Sequence, residues 1–336
     1  MLPASMHVDV AKDCIKLKKD LVTASYVSEE MNNLNKKAED ADVLLLNEIG
    51  LDPGIDHMSA KKVIDEIHHA GGDIHTFKSF CGGLVAPQYD TNPWNYKFTW
   101  NPRNVVLAGQ GTAQFIRNGH YKYIPYQNLY SRTETIDVLE AGAFEGYANR
   151  DSLGYREAYD LVNIPTIFRG TLRRPGYCEA WNVFVQLGMT DDTYQLSGLS
   201  NMTWRNFINS FLVFDEEKTV EEKLQSYLSL SDEVMDKLKW LGIFEKVPVN
   251  LDKATPAQVL QKLLESKWSL GFEDKDMIVM QHQFYYQLKG QEKSLHSSLV
   301  FEGADQIHTA MSMTVGLPLA IATKLIYIPT KFSSFL

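Results

Sequence analysis

Val43-Leu44-Leu45-Leu46-Asn47-Glu48-Ile49-Gly50-Leu51-Asp52-Pro53-Gly54 passes from a continuous apolar run into a polar, turn-rich one. Four apolar residues without alternation predict a strand buried on both faces of a parallel sheet. A helix follows the turn, because Ala60, Val63, Ile64 and Ile67 recur at the spacing of one helical face. Upstream, Val8, Ala11 and Ile15 mark another helix, and residues 21–26 form a short β-rich run. Ser28 is placed to cap one further helix, with Glu29 and Glu30 in its positive first turn and Met31, Leu34, Ala38 and Ala41 on one stripe. Helix, strand, helix, strand, helix is half of a doubly wound sheet, in which ligands bind beyond the carboxyl ends of the strands. Ser25-Tyr26-Val27 and residues 47–54 lie at those ends.

From Gly71 the rhythm changes. Residues 74–80 read as a strand running into Cys81-Gly82-Gly83-Leu84, and β-like segments recur at 121–126, 144–147 and 166–173, which predicts a mixed α/β second domain. Residues 188–269 read as a helical insert, with Thr255 as an N-cap before Pro256 at the first helical position. Residues 276–300 then read as a β-hairpin turned near Lys289-Gly290-Gln291.

At 336 residues, two or three domains are expected. The net charge of −9 is spread along the chain with no Lys/Arg block, which disfavours nucleic acid as a partner. Cys14, Cys81 and Cys178 are odd in number and far apart, against a disulfide framework or a closed zinc site, so a reducing, cytoplasmic setting is expected. No stretch reaches the roughly 18 apolar residues of a bilayer span, and MLPASMHVDVAKD lacks the basic and apolar regions of a signal peptide, so no membrane partner is expected.

Residues 104–114, NVVLAGQGTAQ, imitate a strand entering a dinucleotide loop, but Gln114 stands where the third glycine belongs and no acidic residue follows at the right distance. A surface turn or helix of small residues is the reading adopted. Asp52-Pro53-Gly54 is read two ways, as an ordinary loop or as a ligand-lining turn whose following helix presents free N–H groups. Phe168-Arg169-Gly170-Thr171-Leu172-Arg173-Arg174 puts Arg169, Thr171 and Arg173 on one strand face and Arg174 on the other. Two guanidinium forks on one face suit a carboxylate-rich ligand; a solvated basic strand paired with acids is the other reading. Lys97 and Arg103, flanking Trp100, could add positive charge. Cys81 is read as packing or ligand-lining rather than nucleophilic, and His57, His68 and His69 are not spaced for a metal.

The stretches LVTASYVS, NEIGLDPGIDHM, CGGLVAPQYDTNPWNYKFTWNPR, ANRDSLGYR, FRGTLRR, DKDMIVM and TAMSMTVGLPLAIATKLI, in that order, resemble the saccharopine reductase family, also called saccharopine dehydrogenase (L-glutamate-forming). The resemblance implies an α/β fold with three parts: a partial Rossmann-type parallel sheet (1–72, rejoined by 303–336), a mixed α/β substrate-binding and dimerisation domain (73–187 and 270–302), and a small helical domain (188–269). It implies an oxidoreductase of lysine metabolism that interconverts saccharopine with L-glutamate and 2-aminoadipate 6-semialdehyde, using NADP(H), as a homodimer. A catalytically impaired binding module and a reductase forming carboxylated polyamines are the competing readings. Position by position, Ser25 and Tyr26 match substrate-contacting residues, Arg173 an arginine for a substrate carboxylate with Arg169 as same-face alternate, Cys81 and Trp100 cleft-lining residues, and Leu51, Asp52 and Pro53 the turn along the cofactor. No residue is assigned as catalytic acid or base. Three departures from the family are read: the chain starts after the glycine-rich pyrophosphate loop, it diverges from Tyr327 onward, and Met313 stands where lysine is frequent. Weak NADPH binding is the expectation drawn from the first.

Overall fold

The computed structural model describes residues 2–328; the divergent tail read beyond Tyr327 lies almost wholly outside them. The amino-terminal part comprises α1 (His7–Leu17), β1 (Leu21–Val22), α2 (Glu29–Asn32), α3 (Asn35–Ala41), β2 (Leu45–Leu46) and α4 (Ile55–His69). β1 and β2 pair in parallel as a two-stranded sheet. The expectation of a strand buried on both faces is corrected: Val43 is buried, but Leu44 is 39% exposed and Leu45 and Leu46 are half-buried. With one neighbour in its sheet, β2 cannot be enclosed on every side. The single stripe from Ser28 also divides. Ser28 caps α2 by accepting the Met31 N–H at 3.1 Å, but the chain turns at Asn33-Leu34 before α3 begins. Met31, Leu34 and Ala11 nonetheless meet in one small core.

The remainder comprises β3 (Asp73–Val85), α5 (Pro102–Val106), β4 (Thr112–Arg117), β5 (His120–Pro125), β6 (Thr133–Asp137), β7 (Ala143–Ala148), β8 (Thr166–Arg173), α6 (Tyr177–Gln186), α7 (Trp204–Asn209), α8 (Val220–Leu228), α9 (Asp232–Leu241), α10 (Pro256–Trp268), β9 (Asp276–Leu288), β10 (Gln291–Glu302) and α11 (Ala310–Tyr327). An eight-stranded mixed sheet runs β10-β9-β3-β8-β4-β5, with β7 also on β8 and β6 on β7. β3 and β8 are parallel; β9 and β10 form the hairpin, turned through Lys289 and Gly290 at positive φ. The glycine-rich imitation at 104–114 has helix α5 before the loop and strand β4 after it, the reverse of a phosphate-binding strand-loop-helix.

The apolar face of α4, Ala60, Val63, Ile64 and Ile67, packs on Phe77, Ile116 and Phe284 of the large sheet. Each such side chain stabilises the contact by about 1.5–3 kcal/mol, ample to fix the helix on β3. The helical insert shares the main core with the sheet through Trp94, Trp181, Phe184 and Trp268. α10 begins with the expected cap, a reciprocal box between Thr255 and Gln258.

α11 corrects a second expectation. Over 18 residues it has a mean hydropathy of 1.4 and is long and apolar enough to cross a bilayer by length and composition. Ser312, Thr314, Pro318 and Thr323 interrupt the apolar letters, so an unbroken-run criterion passes over it although the mean is high. Here its first turns lie on the sheet, with Ala310, Met311 and Val315 against Leu51, Cys81, Ile278 and Met280. Buried Asp276, at the root of the hairpin, accepts the Ala310 and Met311 N–H groups at 2.6 and 2.8 Å and so caps the helix.

Candidate active site

The turn after β2 is closed by glycine. Gly50 N–H donates to Pro53 O at 2.9 Å, and a Cβ on Gly54 (φ 147°) would stand 2.1 Å from Gly50 O, so no other residue fits. This closure sets Asp52 at the crevice. It also corrects the expected free N–H groups of α4, because the Ile55 and Asp56 N–H groups donate to Gly50 O and Leu51 O, and the Gly54 N–H to the Asp56 carboxylate. Three of the donors at that helix end are thus satisfied within the chain and are not offered to a phosphate.

β8 brings Arg169 to the same place. Its guanidinium lies 2.6 Å from Asp52 Oδ1 and 2.9 Å from Asp56 Oδ2, while Tyr26 donates its hydroxyl to Asp52 Oδ1 at 2.9 Å. Tyr155 faces the guanidinium at 4.4 Å. Burial, reinforced by Asp52, pushes the Tyr26 phenol far up, so it remains a protonated donor. Burial and then Asp52 push the Asp56 carboxyl up to about 6, with Arg169 acting the other way.

Since the unfolded carboxyl titrates near ~3.9, the folded protein gains stability as pH falls from above 6 toward 4 and carries a penalty of about 3 kcal/mol above that window. Asp56→Asn should therefore lose stability relative to the parent chain on acidification. Thermal unfolding between about pH 7.5 and about pH 5 is expected to show the difference moving by about 1.4 kcal/mol in favour of the parent. Parallel curves would refute the assignment.

Arg173 has a different environment. It is 3% exposed, its guanidinium faces the rings of Tyr96, Tyr177 and Tyr147 at 5.0, 5.4 and 5.9 Å, and Nη1 donates to Leu172 O. Nε has no partner, and among the described residues no carboxylate lies within ion-pair distance. The reading of a solvated basic strand is thereby corrected, since both arginines are buried; only Arg169 meets acids. Arg174, on the opposite face, covers Phe144 and donates to Ala141 O. Lys97 and Arg103 are spent on Asp274 and Asp192 and add no free charge.

Cys81 is buried beside Leu51 and Met280, and burial pushes its thiol well up, which disfavours a thiolate. Trp100 is 40% exposed on the loop before α5. That loop comes close to β3 because Gly83 lacks a side chain: its Cβ would stand 2.9 Å from Thr99 Oγ1. Ser25 is fixed by its N–H to Thr23 Oγ1 at 3.2 Å.

The sequence reading passed over Glu48, Asp56, His57, Arg150, Tyr155 and Tyr159 as site residues. Arg150 lies 5.7 Å over the Tyr26 ring, and His57 stacks on Tyr155 at 4.7 Å with Nδ1 2.5 Å from the Tyr159 hydroxyl. Five of them, Glu48, Asp56, His57, Arg150 and Tyr155, already stood in NEIGLDPGIDHM and ANRDSLGYR, so the motifs held the signal. Among the described residues no group of three His, Cys, Asp or Glu side chains could hold a metal ion.

Fold and site together define an α/β protein in which the turn after a parallel strand pair meets a strand of a larger mixed sheet, bringing Tyr26, Asp52, Asp56 and the buried Arg169 into contact. Residues 50–331 match the saccharopine dehydrogenase C-terminal domain. The chain belongs to the saccharopine dehydrogenase family, NADP-dependent and L-glutamate-forming. It is 34% identical to the saccharopine dehydrogenase [NADP(+), L-glutamate-forming] of Schizosaccharomyces pombe, over 96% of this chain and 74% of that protein. The mitochondrial alpha-aminoadipic semialdehyde synthase of Rattus norvegicus is 36% identical, over 97% of this chain and 36% of that protein. The apo saccharopine dehydrogenase (L-Glu forming) of Saccharomyces cerevisiae superposes with a TM-score of 0.85 at 32% identity, over 97% of this chain and 75% of that one.

Proposed function

We propose that this chain is an oxidoreductase of lysine metabolism that interconverts saccharopine with L-glutamate and 2-aminoadipate 6-semialdehyde. Hydride passes to or from NADP(H) at the C–N bond. The observation that carries the reading is Arg173, a buried guanidinium with a bare Nε and no carboxylate of its own. Such a cation is stabilised by an anion from outside the chain, and each end of saccharopine supplies carboxylates.

Arg173 then anchors a substrate carboxylate while Ser25 and Tyr26 line the neighbouring wall, with Cys81 and Trp100 as further cleft-lining residues. Asp52 meets Arg169 and Tyr26 through Oδ1, and its Oδ2 accepts no hydrogen bond among the described residues, so that oxygen is free to orient the substrate N–H. Arg169, occupied by two aspartates, is the poorer carboxylate clamp of the two arginines.

The residues at the carboxyl end of β2 fit the nicotinamide side of a cofactor. Asn47 Oδ1 is buried there without a partner, ready to accept from an amide or hydroxyl, and the Leu51-Asp52-Pro53 turn borders the same crevice. NADP(H), when bound, supplies or takes the hydride.

We further infer a partial Rossmann-type unit at 1–72 with 303–336, a substrate domain at 73–187 and 270–302, and a helical domain at 188–269. Parallel pairing of β1 and β2 supports the first. A homodimer is supported by β10, which ends the large sheet with an unpaired edge. A cytoplasmic setting is supported by three free cysteines.

Titration with saccharopine by calorimetry, together with NADPH formation from saccharopine and NADP+, tests the activity. Saccharopine binding and release of L-glutamate are expected; a chain that neither binds nor turns over saccharopine would sink the proposal.

A further inference from the structure

Glu48 stands where three site-bearing segments meet. Its backbone is left-handed (φ 59°), an uncommon conformation for a residue other than glycine, and one that the contacts it makes from there offset. The Glu48 N–H donates to Ser25 O at 3.1 Å, and its Oε1 accepts the Val27 N–H at 3.0 Å. Tyr26, the residue between, is therefore bracketed on both sides by one glutamate. The other carboxylate oxygen, Oε2, lies 3.3 Å from His57 Nε2 on α4, and His57 is itself braced by Tyr155 and Tyr159.

The carboxylate is suited to this task. It is 22% exposed, and although burial pushes it up, the adjacent His57 imidazole and the Val27 N–H outweigh that and hold it below the ordinary carboxylate range. A charged acceptor makes a stronger tether than a neutral one. Without it, the loop keeps the Glu48 N–H to Ser25 O, the Ser25 N–H to Thr23 Oγ1 and the Tyr26 hydroxyl against Asp52 and Arg169, but the Val27 N–H loses its acceptor on a residue 47% exposed.

We propose that Glu48 is a positioning residue for substrate binding: it locks the Ser25-Tyr26-Val27 loop onto α4 through Val27 and His57, and so sets the Tyr26–Asp52 contact at the cleft. This rests on the reading of Tyr26 as a substrate-lining residue. Glu48 itself touches no reacting atom; its influence runs through the aim of the Tyr26 hydroxyl at Asp52. A purely structural role would lower stability without coupling specifically to Tyr26.

The test is a double-mutant cycle on the full chain, with saccharopine affinity read by calorimetry and melting temperature followed alongside. Glu48→Ala is expected to weaken saccharopine binding about tenfold, and Glu48→Gln to recover most of that loss, because the amide oxygen still accepts the Val27 N–H. In a Tyr26→Phe background, Glu48→Ala is expected to add less than about twofold, the signature of two residues acting through one contact. Full tenfold losses in both backgrounds, or a Glu48→Gln chain as impaired as Glu48→Ala, overturn the proposal. Should Glu48→Ala not fold, His57→Gln removes only the outer tether. It is expected to cost about threefold alone and nothing further beside Tyr26→Phe, and additivity there overturns the proposal equally. A parent chain with no affinity for saccharopine overturns the functional reading and this inference with it, a result distinct from retained affinity with additive losses.

Discussion

Arg173→Met is expected to raise the KM for saccharopine by about a hundredfold, equivalent to about 2.7 kcal/mol, with little change in melting temperature and less than about a threefold change in the KM for NADP+. The unusual part is the unchanged stability. Removing a buried charge from an ion pair leaves its partner orphaned, but Arg173 has no carboxylate to orphan. Methionine fills much of the volume between Tyr96, Tyr147 and Tyr177 with apolar atoms and spares the protein a desolvated cation. What is lost is the guanidinium held for the substrate. Arg173→Lys is expected to fall between, since an ammonium keeps the charge but not the planar fork. Steady-state kinetics with thermal melts checks this. A melting point that drops in step with the KM, or equal effects on both substrates, would count against the role.

Arg169→Met should do the opposite: it destabilises the fold by about 3–5 kcal/mol at neutral pH, because Asp52 and Asp56 are left as two carboxylates with no counterion. The loss carries a pH signature. Asp56 already titrates at about 6 beside Arg169, and without the arginine it must hold its proton to still higher pH. Relative to the parent, the variant should therefore regain stability as pH is lowered from about 7.5 to about 5.5, while Arg173→Met, which keeps the Arg169–Asp56 pair, tracks the parent. Denaturant unfolding at the two pH values decides the matter; an equal deficit at both would mean that Asp56 is not the group left unpaired. Two arginines four residues apart on one strand face thus differ in their partners, one bound to two aspartates and the other, in the proposed reading, kept for the ligand.

Much of this was legible in residue order. Alternation along 166–173 gave the shared face of Arg169 and Arg173, the apolar spacing of 60–67 gave α4, and Lys289-Gly290 gave the hairpin turn, because each depends on local periodicity or local backbone freedom. Partnership was not legible. Which arginine meets acids depends on the turn at 50–54 delivering Asp52 and Asp56 to β8, a contact spanning more than a hundred residues of sequence. The α4 donors were misjudged for a similar reason: their partners are carbonyls of the preceding turn, and backbone acceptors leave no letter in the sequence. β2 reads as deeply buried because Leu carries no record of how many neighbours its strand has. α11 escaped because hydropathy averaged over a helix and an unbroken apolar run are different measurements.

With Arg173 as the proposed carboxylate anchor, the aromatic cage around it would also govern what the site refuses. Three tyrosine rings lend the guanidinium their faces but offer it no full negative charge. A ligand lacking a carboxylate at that point would close the crevice over an unanswered cation, and a polyamine would bring a second positive charge beside the first. Discrimination of this kind works by exclusion: amines of similar length are turned away by the cost of their own occupancy, however well the rest of the molecule packs.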